Sequence, residues 1–261
     1  MRSLSIGSTG MLAQQLNVEV ISNNIANMTT TGYKRQRAEF QDLLYQNYRR
    51  VGSTSSDAGT VVPSGIQIGA GVKTAAVYRI NEQGTLQITD NSLDLAINGT
   101  GYFQVDMPDG TVAYTRAGSF QINAEGTVVT PDGYTVQPGI VIPQEAVQVT
   151  INPSGEVLVK LDGEIEPQNV GQIQLAVFAN EAGLEAIGDN LLRDTPASGD
   201  PVAGNPGAAG YGRLVQGSVE TSNVNIVQEI TNLITAQRAY EMNSKVISTT
   251  DQMMTSVSQM R

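Results

Sequence analysis

Residues 223–260, NVNIVQEITNLITAQRAYEMNSKVISTTDQMMTSVSQM, repeat an apolar residue every seven positions. Ile226, Leu233, Tyr240, Ile247 and Met254 form one row, and Ala239, Val246, Met253 and Met260 form a second beside it. Sustained heptads point to coiled-coil-like packing, although the same spacing fits a core-facing helix of an ordinary globular domain. Length separates the two readings. At 1.5 Å per residue such a helix spans about 50 Å, more than a compact domain usually needs. Charges are sparse along it, so a helix solvated on all sides is not expected.

The other end of the chain repeats the design. Leu4, Met11, Val18 and Ile25 recur every seven residues, and Leu12, Leu16, Val20 and Ile21 widen the stripe. The spacing predicts a helix starting near Ser3 or Ser5 and fraying at Met28. Thr29-Thr30-Thr31-Gly32 ends it, because β-branched residues are followed by a glycine suited to a left-handed turn. An apolar stripe must be buried against something. Two such helices at opposite chain ends can pair with each other or with further copies, which points to an assembly subunit. Their burial depends on a partner, so we expect residues 1–30 and 225–261 to be largely unstructured in a dilute monomer.

Between the ends the period changes from seven to two. Leu86/Ile88, Leu93/Leu95/Ile97, Val147/Val149/Ile151, Val157/Val159/Leu161 and Ile173/Leu175/Val177 alternate with polar or small residues. Asp109-Gly110, Glu125-Gly126, Asp132-Gly133, Ser154-Gly155 and Asp162-Gly163 punctuate them as hairpin turns. Residues 34–48 read as a further helical or extended piece. Residues 52–60, GSTSSDAGT, are polar and flexible, Pro63-Ser64-Gly65 is a turn, and Ile66, Ile68 and Val72 suggest a strand interrupted by glycine. Residues 194–212 read as a long Gly/Pro/Ala-rich loop. The expected fold class is α+β: paired N- and C-terminal coiled-coil-like helices with an inserted all-β, hairpin-rich domain. The expected parts are a terminal helical polymerisation core over 1–33 and 220–261, an extended stretch over 34–78, and an outer β domain over 79–219.

The formal charge of −10 is unevenly placed. Residues 79–217 carry seventeen Asp/Glu against five Lys/Arg, whereas residues 1–50 carry six Lys/Arg against three Asp/Glu. Nucleic-acid binding is disfavoured, since no basic patch is present to neutralise phosphates. The small cluster Lys34, Arg35 and Arg37 reads as a solvated helix or strand edge. The chain has no Cys and no His, so disulfides, thiolate metal sites and the usual catalytic triads are not available. The start, MRSLSIGSTGMLAQQ, lacks the continuous apolar run of a secretory signal, and no run of about 20 apolar residues could span a membrane. Gly99-Thr100-Gly101 lacks the third glycine and Lys-Ser/Thr of a phosphate loop, and no 12-residue calcium loop is seen. No cofactor and no metal are expected.

Residues 22–35, SNNIANMTTTGYKR, resemble the N-terminal signature of the bacterial flagellar rod and hook axial proteins, in which Asn-Asn-Ile-Ala-Asn precedes Thr-x-Gly-Tyr-Lys. Residues 216–224, QGSVETSNV, and 236–241, AQRAYE, resemble the family's C-terminal end. Residues 97–105, INGTGYFQV, and 114–120, YTRAGSF, resemble its shared β-domain segments, so the likeness covers nearly the whole chain. Residues 40–45, FQDLLY, and 62–72, VPSGIQIGAGV, are similar to the distal-rod branch of that family.

The resemblance implies a structural subunit, not an enzyme. It would be exported unfolded by the flagellar type III apparatus without a cleaved signal peptide, and it would polymerise into a rigid hollow helical tube that crosses the periplasm and carries torque from motor to hook. The implied partners are further copies of the chain, neighbouring rod proteins, the hook protein, the L-ring and P-ring proteins, the rod cap and the export apparatus. Neither nucleic acid nor direct membrane insertion is implied. The terminal helices would line the tube and the acidic β domain would face outward. The expected polymerisation residues are Leu4, Met11, Val18, Asn24, Ile25, Asn27, Gly32, Ile226, Leu233, Tyr240, Ile247 and Met254. Asn27 fits a simple helix cap equally well. Phe40 and Leu44 resemble an export recognition element, and their spacing also fits packing on one face of a helix. Pro63, Ser64, Gly65, Ile66, Gln67 and Ile68 form the expected stiffening stretch. Rival readings are a proximal-rod or hook-type subunit, a solitary surface adhesin, which leaves the heptad ends unexplained, and a hydrolase using two of the carboxylates. Against the last, Asp109, Asp132 and Asp162 each precede a turn glycine, where Asp is favoured for its own backbone hydrogen bonds.

Overall fold

The computed structural model of the chain describes residues 2–50, 52, 64–163 and 166–260. It is α+β, with one long helix at each end and strands between them. Two units can be distinguished. Residues 1–25, 36–78 and 225–261 form the first, and residues 26–35 and 79–224 form the second.

The first unit holds helix α1 (Arg2–Ala26), helix α2 (Ile226–Gln259) and a β ribbon. Asn225 caps α2, its side-chain oxygen accepting from the Gln228 amide. The ribbon pairs strand Gln36–Asp42 with Val72–Arg79 and, further out, Tyr45–Arg49 with Ile66–Gly69 in antiparallel register. Backbone bonds from Leu43 N–H to Gly71 O and from Ala70 N–H to Leu44 O carry the ladder across the gap. Residues 34–48 are therefore extended, not helical. The polar piece 52–60 falls mostly outside the described residues, as does Pro63. Tyr45, Tyr48, Ile66 and Ile68 are exposed on the ribbon.

The second unit is a β domain whose nine-stranded sheet is antiparallel at every pairing given. Its path runs Glu185–Gly188, Leu191–Arg193, Val112–Thr115, Tyr102–Asp106, Thr135–Val136, Val128–Val129 and Gln121–Ile122. The strand Tyr102–Asp106 divides one edge between two neighbours. Its start pairs with Leu175–Val177 and its end with Thr135–Val136. Side chains alternate across a strand, and here both faces are covered. Phe103 and Leu175 enter the larger core with Leu95, Ile97, Phe120 and Val159, while Tyr102, Tyr114 and Ala176 enter a smaller one with Phe178 and Leu184. Phe103 meets Phe120 edge to face at 5.0 Å. A three-stranded antiparallel sheet, Ala146–Ile151, Glu156–Leu161 and Gln168–Gln172, sends Val157 and Val159 into the larger core.

The hairpin glycines Gly110, Gly126, Gly133, Gly155 and Gly163 expected from sequence all carry positive φ. Gly155 is typical, at φ +86° with its amide donating to Asn152 O. The stretch 194–212 is not one loop. Val202–Gly204 within it is a strand paired with Leu175–Val177. Three residues ending in glycine, flanked by Pro201 and Asn205, leave little periodicity to detect.

Candidate assembly surface

The two terminal helices run antiparallel. Asn24 near the end of α1 bonds to Glu229 near the start of α2, and Gly7 near the start of α1 lies against Asn243 and Ile247. The contact is close because α1 offers small residues. A Cβ on Gly7 would stand 2.9 Å from Ile247 Cγ1, and one on Gly10 would stand 2.9 Å from Asn243 Nδ2. The buried line of α1 is Gly7, Ala13, Val20, Ile21 and Asn24. On α2 the buried residues are Glu229, Ala236 and Thr250, and with half-buried Asn243 they recur every seven positions.

On α2 the intrachain seam is thus a heptad of small and polar residues, whereas the buried line of α1 mixes small and polar residues with Val20 and Ile21. The large apolar rows lie beside or away from it. Leu4, Met11, Val18 and Ile25 are half-buried at the rim of the α1 contact, and Leu233 and Ile247 are half-buried on α2. Ile226, Tyr240 and Met254 are exposed, as are Val227, Ile230, Ile234, Met242, Val246, Met253 and Val257. From Asp251 to Met260 every residue of α2 and its cap is exposed. Heptads alone show that a helix packs; they do not show which row packs within the chain. The Gly7-Gly10-Ala13 spacing was the available signal.

Asn24 is almost wholly buried and acts as a joint. Its Oδ1 accepts from Gln36 N–H at 2.8 Å, and its Nδ2 donates to Gln36 O at 2.8 Å and to Glu229 Oε2 at 3.2 Å. One amide thereby gives Gln36 the two bonds a neighbouring strand would supply, and ties the ribbon's first residue to both helices. Glu229 lies in the first turn of α2, where the helix dipole favours a carboxylate. At the other end of α1, the Thr9 hydroxyl accepts from Val72 N–H at 3.4 Å, and the Arg2 guanidinium lies 4.7 Å from the Tyr48 ring centre while also donating to its hydroxyl.

Within the β domain unit, the turn after α1 closes around a buried carboxylate. Gly32, at φ +70°, donates its amide to Glu220 O at 2.8 Å. A Cβ there would stand 2.7 Å from Ala117 N, so a side chain would be both strained and obstructed. Asn27 Oδ1 accepts from the Thr30 hydroxyl and steadies the same turn. The Glu220 carboxylate is fully buried. Oε1 accepts from Lys34 Nζ at 2.6 Å and Gly84 N–H at 2.9 Å, and Oε2 accepts from Arg116 Nε at 2.9 Å. Arg116 Nη2 also lies 2.9 Å from Glu220 Oε2, and Nη1 donates to Gly99 O and Gly101 O. Lys34 also donates to Glu82 O at 2.8 Å. Burial pulls the Lys34 ammonium below its usual range, opposed by the bond to Glu220. The expectation of a solvated edge is therefore wrong for Lys34. Its partner carboxylate lies 186 positions away in the chain, beyond the reach of local pattern.

These contacts bring the sequence motifs together. Gly32 and Lys34 of SNNIANMTTTGYKR, Gly99 and Gly101 of INGTGYFQV, Arg116 of YTRAGSF and Glu220 of QGSVETSNV share one hydrogen-bonded cluster. Asn223 extends it, accepting from Arg35 N–H and donating to Ile80 O and Glu82 O.

Phe40 is half-buried on its strand and Leu44 is exposed just beyond it, so the helical-face reading of their spacing does not apply. Ser64, Ile66, Gln67 and Ile68 are exposed and Gly65 half-buried. Asp109 does what turn aspartates do. Its Oδ1 accepts from the Thr111 hydroxyl and amide, which hold its carboxyl below the usual range. Among the described residues, no helix is long and apolar enough to cross a membrane.

Comparison with known proteins agrees across the chain. Residues 4–34 match the flagella basal body rod protein family, residues 96–159 the flagellar hook protein FlgE/F/G D1 domain, and residues 215–260 the flagellar basal body rod FlgEFG protein C-terminal domain. The flagellar basal-body rod protein FlgG of Caulobacter vibrioides is 63% identical over 261 residues, covering all of both chains. That of Agrobacterium fabrum is 54% identical, covering 99% of this chain and 98% of the relative. The flagellar hook-basal body complex protein FlhP of Bacillus subtilis is 30% identical over the full length of both.

Proposed function

The chain belongs to the family of the flagellar basal-body rod protein FlgG, and we propose that it builds the distal rod by packing the outward apolar rows of α1 and α2 against the same helices of neighbouring copies. It is a structural subunit of the flagellum, working beside other rod and hook components. The observation that carries the mechanism is the inverted helix pair. The seam heptad of α2 is small and polar, while Val227, Ile230 and Ile234 are exposed on another side of the helix. Covering such side chains stabilises an assembly by about 1.5–3 kcal/mol each. A tube built this way is a heterologous, open-ended polymer.

The finer assignments belong to the same proposal. The tube transmits torque across the periplasm, the L-ring and P-ring proteins surround it, and the rod cap and type III apparatus serve its export and growth. Phe40 and Leu44 act in export recognition. The ribbon residues Ile66 and Ile68, with Pro63 beyond the described residues, bind neighbouring copies and resist the change of spacing that bending requires.

The test is Ile234→Asp with Val227→Asp, each exposed in the single chain. The purified variant keeps its secondary structure and unfolding midpoint, yet cells carrying it build no distal rod and do not swim. Normal basal bodies in electron micrographs would reject the helical contact. Deletion of residues 46–63 addresses stiffness, with curved isolated rods expected and straight ones counting against it.

A further inference from the structure

The outward apolar surface of α2 changes chemistry along its length. In the first half it is aliphatic: Val227, Ile230 and Ile234. In the second half, at 3.6 residues per turn, Met242, Val246, Met253, Val257 and Met260 align along one side. The three methionines are 64%, 58% and 80% exposed, and the only charged groups among residues 242–260 are Lys245 and Asp251. An exposed thioether is open to two-electron oxidants, whereas one covered in a packed interface is shielded.

We propose that Met242, Met253 and Met260 form an oxidation-sensitive stripe, and that their conversion to sulfoxides by hydrogen peroxide before assembly bars the subunit from the rod. This rests on the packing role given above for the outer faces of α2. In the reaction, a sulfur lone pair attacks one peroxide oxygen, the O–O bond breaks, an S–O bond forms, and the proton on the transferred oxygen passes to the departing hydroxide. Sulfur loses two electrons, and peroxide is reduced to water. The product is a polar, chiral side chain on a surface that must be desolvated against apolar neighbours. Three sulfoxides in one stripe act together, because an unmatched polar group disfavours burial at each position. Subunits already in the rod escape, since their thioethers are covered. The stripe therefore restricts incorporation to undamaged subunits.

Peptide mapping of the full-length chain treated with hydrogen peroxide is the first test. Met242, Met253 and Met260 oxidise ahead of Met107, which is half-buried in the β domain. Equal rates at all four would overturn the proposal. The second test replaces all three by Gln, a polar mimic of the sulfoxide, or all three by Leu. The Gln variant is incorporated at least about tenfold less than the parent, as loss of a single 1.4 kcal/mol contact already implies. The Leu variant is incorporated normally and stays so in cells grown with sublethal peroxide, while the parent declines. Normal incorporation of the Gln variant, failure of the Leu variant, or equal loss of parent and Leu variant under peroxide each overturns it. Met28→Leu, outside the stripe, leaves the peroxide response of the parent unchanged; abolition of that response would locate the sensitive group elsewhere. Rods completed in cells lacking the chain altogether would instead overturn the structural role proposed above.

Discussion

The helical unit and the β domain solve the burial problem in opposite ways. In the β domain the largest apolar side chains point inward from both faces of the main sheet, so Phe103, Leu175, Tyr114 and Phe178 are all covered by the chain's own strands. In the helical unit the inward positions are Gly7, Ala13, Asn24, Glu229, Ala236 and Thr250, joined by Val20 and Ile21 of α1, and most of the large apolar residues of α2 are left exposed. The hydrophobic contribution scales with apolar area removed from water. The β domain therefore draws its stabilisation from within one chain, whereas the helical unit leaves much of the apolar surface of α2 uncovered there. A subunit that completes one region alone and the other only in company can remain a monomer until it reaches a growing end.

The largest effect expected from breaking this contrast lies at Glu220. Glu220→Ala leaves Lys34 and Arg116 buried without their carboxylate, and a severed buried pair typically costs about 3–5 kcal/mol. Urea unfolding followed by the near-ultraviolet signal of the β-domain tyrosines measures it. A loss under about 1 kcal/mol would mean that water or the Gly99 and Gly101 carbonyls compensate. Phe103→Ala comes next, removing a fully buried ring from the larger core at about 3–5 kcal/mol before any relaxation around the cavity. If the same urea curve hardly moved, the β domain would not be the self-contained partner in the comparison.

Gly32→Val is expected to cost at least about 1–3 kcal/mol, through strain at positive φ and the approach of its Cβ to the Ala117 backbone. Much of this region was legible in the sequence. Period-two alternation marked the strands around Leu95, Val149 and Val159, and the turn glycines marked their ends. Gly32 was visible as a helix terminator. The reason it must be glycine was not, because Ala117 is brought to it by folding. The Lys34–Glu220–Arg116 cluster escaped for the same cause. Three charges separated by tens to hundreds of positions look like surface residues until topology gathers them. The strands Glu185–Gly188 and Val202–Gly204 are too short and glycine-bearing to show a period. In the helices, the heptads revealed packing but favoured the large residues as the seam, when α2 turns its small and polar row to α1.

Asn24→Ala sharpens the helical side of the comparison. It leaves Gln36 N–H and O without their side-chain partner and removes one donor from Glu229, at about 1–3 kcal/mol. Hydrogen exchange is the suitable measurement, because the loss should appear in α1, α2 and the ribbon and leave the Phe103 strand protected. Faster exchange spread evenly over both units would show that they unfold together, and the division between a complete and an incomplete region would fail.

The smallest expected effect is also the most discriminating. Ile234 is 46% exposed on α2, away from the Ala236–Asn243 line that meets α1. Ile234→Ala should change the stability of the dilute monomer by no more than about 0.5 kcal/mol, the usual range for a surface site. It also removes an outward β-branched side chain from a helix and substitutes the best helix former, which offsets part of any lost contact. In the polymer the same change deletes packing that only a neighbour supplies, so its effect there should be several-fold larger in free energy. Comparing the monomer's unfolding midpoint with the dissociation of isolated rods by acid or heat separates the two. Limited proteolysis gives the same contrast without mutation: protease should trim both terminal helices from a dilute monomer, spare the β domain, and leave the helices intact in rods. If Ile234→Ala destabilised monomer and rod equally, the residue would already be working inside the chain. The outward row would then be part of the monomer's own fold, and the two regions would differ in degree alone.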